Sequence, residues 1–203
     1  MTIYHMPIYK ELNKIIADDK LGRLNLIQVN FGSYKDYDMS NRFFNRNLAG
    51  GALLDIGVYS LSLIRWFFTE SANQILSQVK YAPTGVDEQV GILLMNSSSE
   101  MATVTLSLHS KQPQRATISF DKAYIEIFEY PRGMQAAIIY TDDGHKEIID
   151  AGDTNDALFY EITDMEKAVN GDKNVMCLDY TADVMEIMTR FRQEHGIIYP
   201  EEE

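Results

Sequence analysis

Apolar residues along the chain change period several times, and each change marks a different element. Pro7 suits a first helical position, and Ile8, Leu12, Ile15 and Ile16 then recur at i, i+4, i+7 and i+8 on a helix ending near Gly22. From Leu24 to Phe31 the period drops to two, with Ile27, Val29 and Phe31 alternating with Gln28 and Asn30, which predicts a strand with one wet face. Residues Ser33 to Asn47 keep no period and are rich in Tyr, Asp, Asn and Arg, so they read as a long polar-aromatic loop. Gly50 to Phe68, GGALLDIGVYSLSLIRWFF, follows as the most apolar stretch and predicts a buried helix.

Strands and turns dominate the next eighty or so residues. Gln74–Tyr81, Gln89–Met95, Met101–Leu108, Arg115–Phe120, Ala123–Phe128, Met134–Tyr140 and Lys146–Ile149 are separated by short segments such as Pro83-Thr84-Gly85 and Asp142-Asp143-Gly144. Connections that short imply antiparallel pairing, because a parallel crossover needs a dozen residues or more. Two helices close the chain. Asp153 or Thr154 can cap one whose stripe is Leu158, Ile162, Met165 and Val169, stopped at Gly171. Asp179 can cap another with Val184, Ile187, Met188 and Phe191 on one face, and Glu201–Glu203 reads as a frayed tail. The expected class is α+β, a mostly antiparallel open sheet with helices on one face, and 1–203 as a single domain is the economical count.

Composition narrows the function without naming it. A hydrophobic fraction of 45% and a charged fraction of 24% over 203 residues are ordinary for a globular protein. A formal charge of −12 with no Lys/Arg-rich block argues against nucleic acid and against an anionic membrane. The Gly50–Phe68 run contains Asp55 and Arg65 and barely reaches the ~20 residues a bilayer span requires, so no membrane is expected. No basic-then-apolar leader opens the sequence, and the expected setting is cytoplasmic. Cys177 is a single cysteine, and His5, His109, His145 and His195 show no ligand spacing, so no metal is expected.

Candidate chemistry concentrates in the apolar run. Asp55 and Tyr59 stand at i and i+4, with Ser62 continuing a polar line on one helical face. A carboxylate there is either a core residue capping a neighbouring backbone, or half of an acid–phenol pair on the floor of a site. Arg42 and Arg46 in the preceding loop either clamp an anionic or hydroxylated ligand or offset the nearby Asp36 and Asp38. Neither G-x-G-x-x-G after a strand, nor a G-x-x-x-x-G-K-[ST] loop, nor a G-x-S-x-G elbow occurs.

Asn41-Arg42 followed by Ala49-Gly50-Gly51-Ala52-Leu53-Leu54-Asp55-Ile56-Gly57-Val58-Tyr59 resembles the signature of the glucose–fructose oxidoreductase/inositol dehydrogenase/MocA family, G-G-G-A-L-x-D-x-G-x-Y or -H, with Ala49 in place of the first glycine. Met6-Pro7 through Lys20-Leu21-Gly22 and Phe159 through Pro200 are similar to other family segments, so the likeness spans most of the chain.

The resemblance implies an oxidoreductase with two halves, an N-terminal Rossmann domain for NAD or NADP and a C-terminal α+β domain of the glyceraldehyde-3-phosphate-dehydrogenase-like type. This chain looks like the second half alone, and the family's E-K-P lysine has no counterpart in it. Carried over, Asp55 and Tyr59 would be the catalytic pair handling the substrate proton, and Arg42 and Gly57 would line the substrate pocket. The implied substrate is a sugar, cyclitol or diol-like molecule, and the implied partner is a second copy joined through the sheet. The chain alone would then be inactive. A non-catalytic binding or scaffold module keeping the same fold is the alternative.

Overall fold

A computed structural model describes residues 1–172 and 174–202, apart from the side chain of Glu201. Helix α1 (Pro7–Ala17) precedes strand β1 (Leu24–Gly32), and helix α2 (Val58–Phe67) continues a π-helical turn at Leu53–Gly57. Seven strands follow: β2 (Gln74–Tyr81), β3 (Asp87–Met95), β4 (Met101–Ser107), β5 (Gln112–Phe120), β6 (Ala123–Phe128), β7 (Gln135–Tyr140) and β8 (Lys146–Asp150). Helices α3 (Ala157–Val169) and α4 (Leu178–Glu194) follow, with short 3-10 turns between and after the main elements.

All eight strands join one sheet in the order β2-β3-β4-β1-β5-β6-β7-β8. Two antiparallel meanders, β2-β3-β4 and β5-β6-β7-β8, are stitched together by β1. The expected α+β class and mostly antiparallel open sheet are observed, and one strand pair runs parallel. β1 pairs with β4 in parallel, Ile27 opposite Ala102 and Val29 opposite Val104. The long loop and α2 between β1 and β2 provide the crossover that lets the chain return beside β1 in the same direction.

The core lies between one sheet face and the helices. Ile27 and Val29, Val90, Ile92 and Leu94, Val104 and Leu106, and Ile118, Ile125 and Ile138 are all buried on that side. Against them pack Leu53, Ile56, Leu61 and Ile64 of the central helix and Val184, Ile187, Met188 and Phe191 of α4. The α2–α4 seam is tied by Arg65, whose Nε donates to Asp183 at 2.5 Å. Along the outer sheet face the intervening positions are half-buried or exposed: Leu76 lies opposite Leu93, Met95 opposite Met101, and Met101 opposite Leu26.

Helix α3 corrects its expected packing. Leu158, Ile162, Met165 and Val169 form the predicted stripe, but they are 57%, 59%, 54% and 79% exposed, and the helix instead buries Ala157 and Asp164. Asp164 accepts from Lys10 and Lys167 and pairs with His5 Nδ1, so α3 is held to α1 and the chain start by charge rather than by its apolar side. The tail also differs from expectation. Pro200–Glu202 forms a short 3-10 turn, and Glu202 accepts from the Tyr199 amide and from Arg192, while Glu203 lies outside the described residues. The helical stretch Arg46–Phe67 is long and apolar enough by length and composition to span a bilayer, yet it is mostly buried inside this fold.

Candidate functional site

The helix carrying Asp55 and Tyr59 begins where the loop folds back on it. The Gly50 amide donates to Asn45 O and the Gly51 amide to Phe43 O, each at 3.0 Å. A Cβ on Gly50 would lie 2.5 Å from Arg42 O, and one on Gly51 would lie 2.2 Å from Asp87 Oδ1. Gly51 also has a φ of +125°, a conformation that L side chains rarely adopt. The two glycines are therefore a packing requirement of the helix start.

No local side chain caps this helix start. The cap comes from β3, where the buried Asp87 carboxylate accepts from the Leu53 amide at 2.6 Å. Burial pushes the Asp87 carboxyl up to about 7, against hydrogen bonds from backbone amides and the nearby Arg192 that favour its charged form. Tyr199 closes the other side, its hydroxyl donating to Gly50 O at 2.7 Å while Arg192 stacks 4.5 Å above its ring.

From Leu53 to Gly57 the backbone widens into a π turn, and the Val58 amide reaches Leu53 O, five residues back. Leu54, Asp55, Val58 and Tyr59 then stand half-buried on the outward side, while Leu53, Ile56, Gly57 and Ser60 are buried. Asp55 Oδ1 lies 2.8 Å from Arg42 Nη2. The Arg42 guanidinium also covers the Phe43 ring at 4.2 Å, and Lys35 sits at 4.4 Å from the same ring. Tyr59 packs on Phe31, which meets Tyr130 edge-on, and the Tyr130 hydroxyl bonds Ser60 Oγ at 2.8 Å. Tyr59 thereby borders a cleft of about 580 Å³, along with Gly32, Gln112, Gln114, Arg132 and Thr154.

The expected site residues thus separate. Arg42 and Asp55 come together as an ion pair, so Arg42 partners the helix carboxylate and not Asp36 or Asp38. Tyr59 lines the cleft, whereas Asp55, on the same outward side of the turn, is not among its walls. Gly57 is buried with its Cα toward Leu106 of β4, where an added Cβ would meet Leu106 Cδ1 at 2.8 Å; its close approach is to the sheet. Ser62 does not continue the polar line, because it is buried. Arg46 donates to Ile198 O at 2.7 Å.

Asp87, Glu88, Tyr199 and Arg132 were not anticipated. Asp87-Glu88 follows the turn-like Pro83-Thr84-Gly85, and the one available signal was an acidic pair opening an apolar strand. Among the described residues no group of His, Cys, Asp and Glu is arranged to hold a metal ion.

A family model for the GFO/IDH/MocA C-terminal domain matches residues 9–126. This chain belongs to that family of oxidoreductases, through its C-terminal domain. Among curated proteins it is 26% identical over 206 residues to a trans-1,2-dihydrobenzene-1,2-diol dehydrogenase of Xenopus tropicalis, covering 96% of this chain and 61% of the relative. It is 30% identical over 124 residues to the pig (Sus scrofa) protein of the same name, covering 61% of this chain and 36% of the relative. The chain therefore spans less than two thirds of the length of these relatives.

Among solved structures, a 3-ketoreductase from Actinomadura kijaniata in complex with NADP and TDP-benzene superposes with a TM-score of 0.75 at 15% identity, over 92% of this chain and 57% of that one. A UDP-N-acetylglucosamine 3-dehydrogenase from Acidithiobacillus ferrooxidans gives 0.71 at 15% identity, over 97% and 60%. At such identities these two matches establish the fold.

Proposed function

We propose that this chain is the substrate-binding and self-associating portion of an NAD(P)-dependent oxidoreductase that acts on a CH–OH group of a sugar, cyclitol or diol. The observation that carries the reading is Tyr59, held half-buried at the edge of a cleft on a helix whose start resembles the family signature. The names of the relatives, dehydrogenases of a diol and of a sugar nucleotide, support the substrate class.

The described residues do not fit a dinucleotide. A pyrophosphate seat needs free amides at a helix N-terminus after a glycine-rich turn, and here the amide at the start of the glycine-led helix is taken by Asp87. In this reading the nicotinamide, which supplies or accepts the hydride, is bound by residues outside this chain. The outward apolar side of α3 supports that arrangement, since Leu158, Phe159, Ile162, Met165 and Val169 form a surface that a further domain would cover. The outer sheet face, with Leu76, Leu93, Met95 and Met101 in adjoining register, supports pairing with a second copy.

In this reading the chain binds and orients the polyol and moves its proton. The Tyr59 hydroxyl exchanges a proton with the substrate oxygen as the carbon–hydrogen bond is made or broken. Asp55, paired with Arg42 outside the cleft walls, holds the arginine loop against the helix that presents Tyr59, and the polar side chains of Gln112, Gln114, Arg132 and Thr154 bind the substrate's other hydroxyls. The test is an assay of the complete gene product with NAD and NADP against a panel of diols, cyclitols and sugars. Cofactor reduction with at least one class is expected, and none from the 203-residue chain alone. Turnover by the chain alone would refute the division of labour.

A further inference from the structure

We propose that the adjacent buried carboxylates Asp87 and Glu88 are positioning residues for the candidate site, Asp87 fixing the helix that carries Asp55 and Tyr59, and Glu88 the loop that carries Arg42. The inference rests on the reading of that site given above.

The two residues open β3 and are 1% and 0% exposed. The ladder with β2 shifts register at this step, Lys80 facing Gln89 and Tyr81 facing Asp87, so Glu88 is the extra residue of a bulge and the two side chains reach different segments. Asp87 takes the helix side. It accepts from Leu53, two residues before Asp55, across 34 positions of sequence, and its Oδ1 presses on Gly51.

Glu88 takes the loop side. The Tyr37 hydroxyl donates to its Oε2, and Lys80 Nζ lies 2.9 Å from its Oε1. Tyr37 in turn packs on the His109 ring at 3.9 Å and on the buried Phe44 at 5.1 Å. The His109 ring meets Lys35 O at 3.0 Å, the Lys35 amide donates to Leu108 O at 2.7 Å, and the Leu108 amide donates to Glu88 O at 3.0 Å. The loop between residues 33 and 47 is therefore moored to the start of β3 through Tyr37 and Lys35.

The two moorings meet at the Arg42–Asp55 ion pair, one member on each moored segment. Losing either anchor should shift one partner relative to the other. Two buried acids that served packing alone would show no such shared target. Coupling is therefore expected: the double change should cost less than the sum of the single ones.

The test uses the complete gene product with Asp87→Ala, Asp87→Asn, Tyr37→Phe and Tyr59→Phe. Hydrogen exchange at the Leu53 amide should accelerate at least ~10-fold in Asp87→Ala, with kcat falling by at least ~10-fold, as expected when reacting groups are misplaced. Asp87→Asn keeps an acceptor oxygen and should recover most of both losses. Tyr37→Phe, which leaves the core intact and serves if Asp87→Ala does not fold, should raise KM by ~3-fold or more while kcat stays within ~2-fold, because it loosens the arginine loop and not the proton-handling helix.

Unchanged Leu53 exchange in Asp87→Ala would overturn the inference. So would accelerated exchange with kcat intact in a protein that Tyr59→Phe inactivates, or a KM unmoved by Tyr37→Phe. Full turnover in Tyr59→Phe would instead overturn the reading of the site itself, whatever the exchange shows.

Discussion

Replacing Gly51 by alanine tests the account of the helix start most sharply. An alanine at φ +125° carries a backbone strain of about 1–3 kcal/mol. Its Cβ would also lie 2.2 Å from Asp87 Oδ1, and the 1%-exposed carboxylate cannot swing into solvent. Relief must pull Asp87 off the Leu53 amide, which leaves a buried donor unpaired at about 1–3 kcal/mol. The expected destabilisation is the sum, about 2–6 kcal/mol. Gly91→Ala is the control, since an added Cβ there meets nothing within 4 Å on the outer sheet face, and it should cost nothing or stabilise slightly. Urea unfolding of the chain followed by far-ultraviolet circular dichroism gives both values from the midpoint shift at constant m. Gly51→Ala within about 1 kcal/mol of the parent would refute the reasoning, because strain and displacement could not both be present.

Three further outcomes follow from particular residues. The Asp87 carboxyl is raised from 3.8 to about 7 in the folded chain, so the native state holds the extra proton and its stability falls as pH rises between those values. Relative to Asp87→Asn, the parent should lose on the order of 4 kcal/mol between about pH 4 and pH 8 in urea titrations, and a pH-independent difference would contradict this. Asp164 acts in the opposite sense. Burial alone would raise its carboxyl, but hydrogen bonds from Lys10, Lys167 and His5 hold it well below 3.8, so its contribution is present above about pH 4 and lost on acidification, and Asp164→Asn should flatten the acid limb of the stability curve. On α3, Ile162→Glu should leave the chain's own stability within about 0.5 kcal/mol because the side chain is exposed, whereas Phe191→Ala in the core should cost about 3–5 kcal/mol, both read by thermal unfolding.

Much of the fold was legible because burial on one face imprints a period. Ile27, Val29 and Phe31, and likewise Val104 and Leu106, announce their strands and the side that faces the core. The same logic located α3 but not what its stripe faces. A stripe at Leu158, Ile162, Met165 and Val169 shows that one side of a helix is apolar, but periodicity is silent about what covers it. The parallel β1–β4 pair was hidden for a related reason. Loop lengths report on sequential neighbours, and β4 is reached only after two intervening strands.

At the site, Asp55 and Tyr59 stood out as polar groups in an apolar run. The π turn did not, because i and i+4 residues share a side whether the helix has the ordinary pitch or a locally widened one. Asp87 falls between the turn at Pro83-Thr84-Gly85 and the strand expected from Gln89, where no period marks it. Its part in capping a helix 34 positions earlier exists only in three dimensions.

The central claim is that Tyr59 handles the proton in a nicotinamide-dependent oxidation or reduction. The most direct measurement is the turnover of Tyr59→Phe in the complete gene product, on the best diol, cyclitol or sugar found, followed by the absorbance of the reduced nicotinamide with circular dichroism confirming the fold. A fall in kcat of at least ~10²-fold, the usual scale for a lost general acid or base, is expected with little change in fold. Turnover within ~3-fold of the parent would contradict the claim and favour a module that keeps this fold for binding alone.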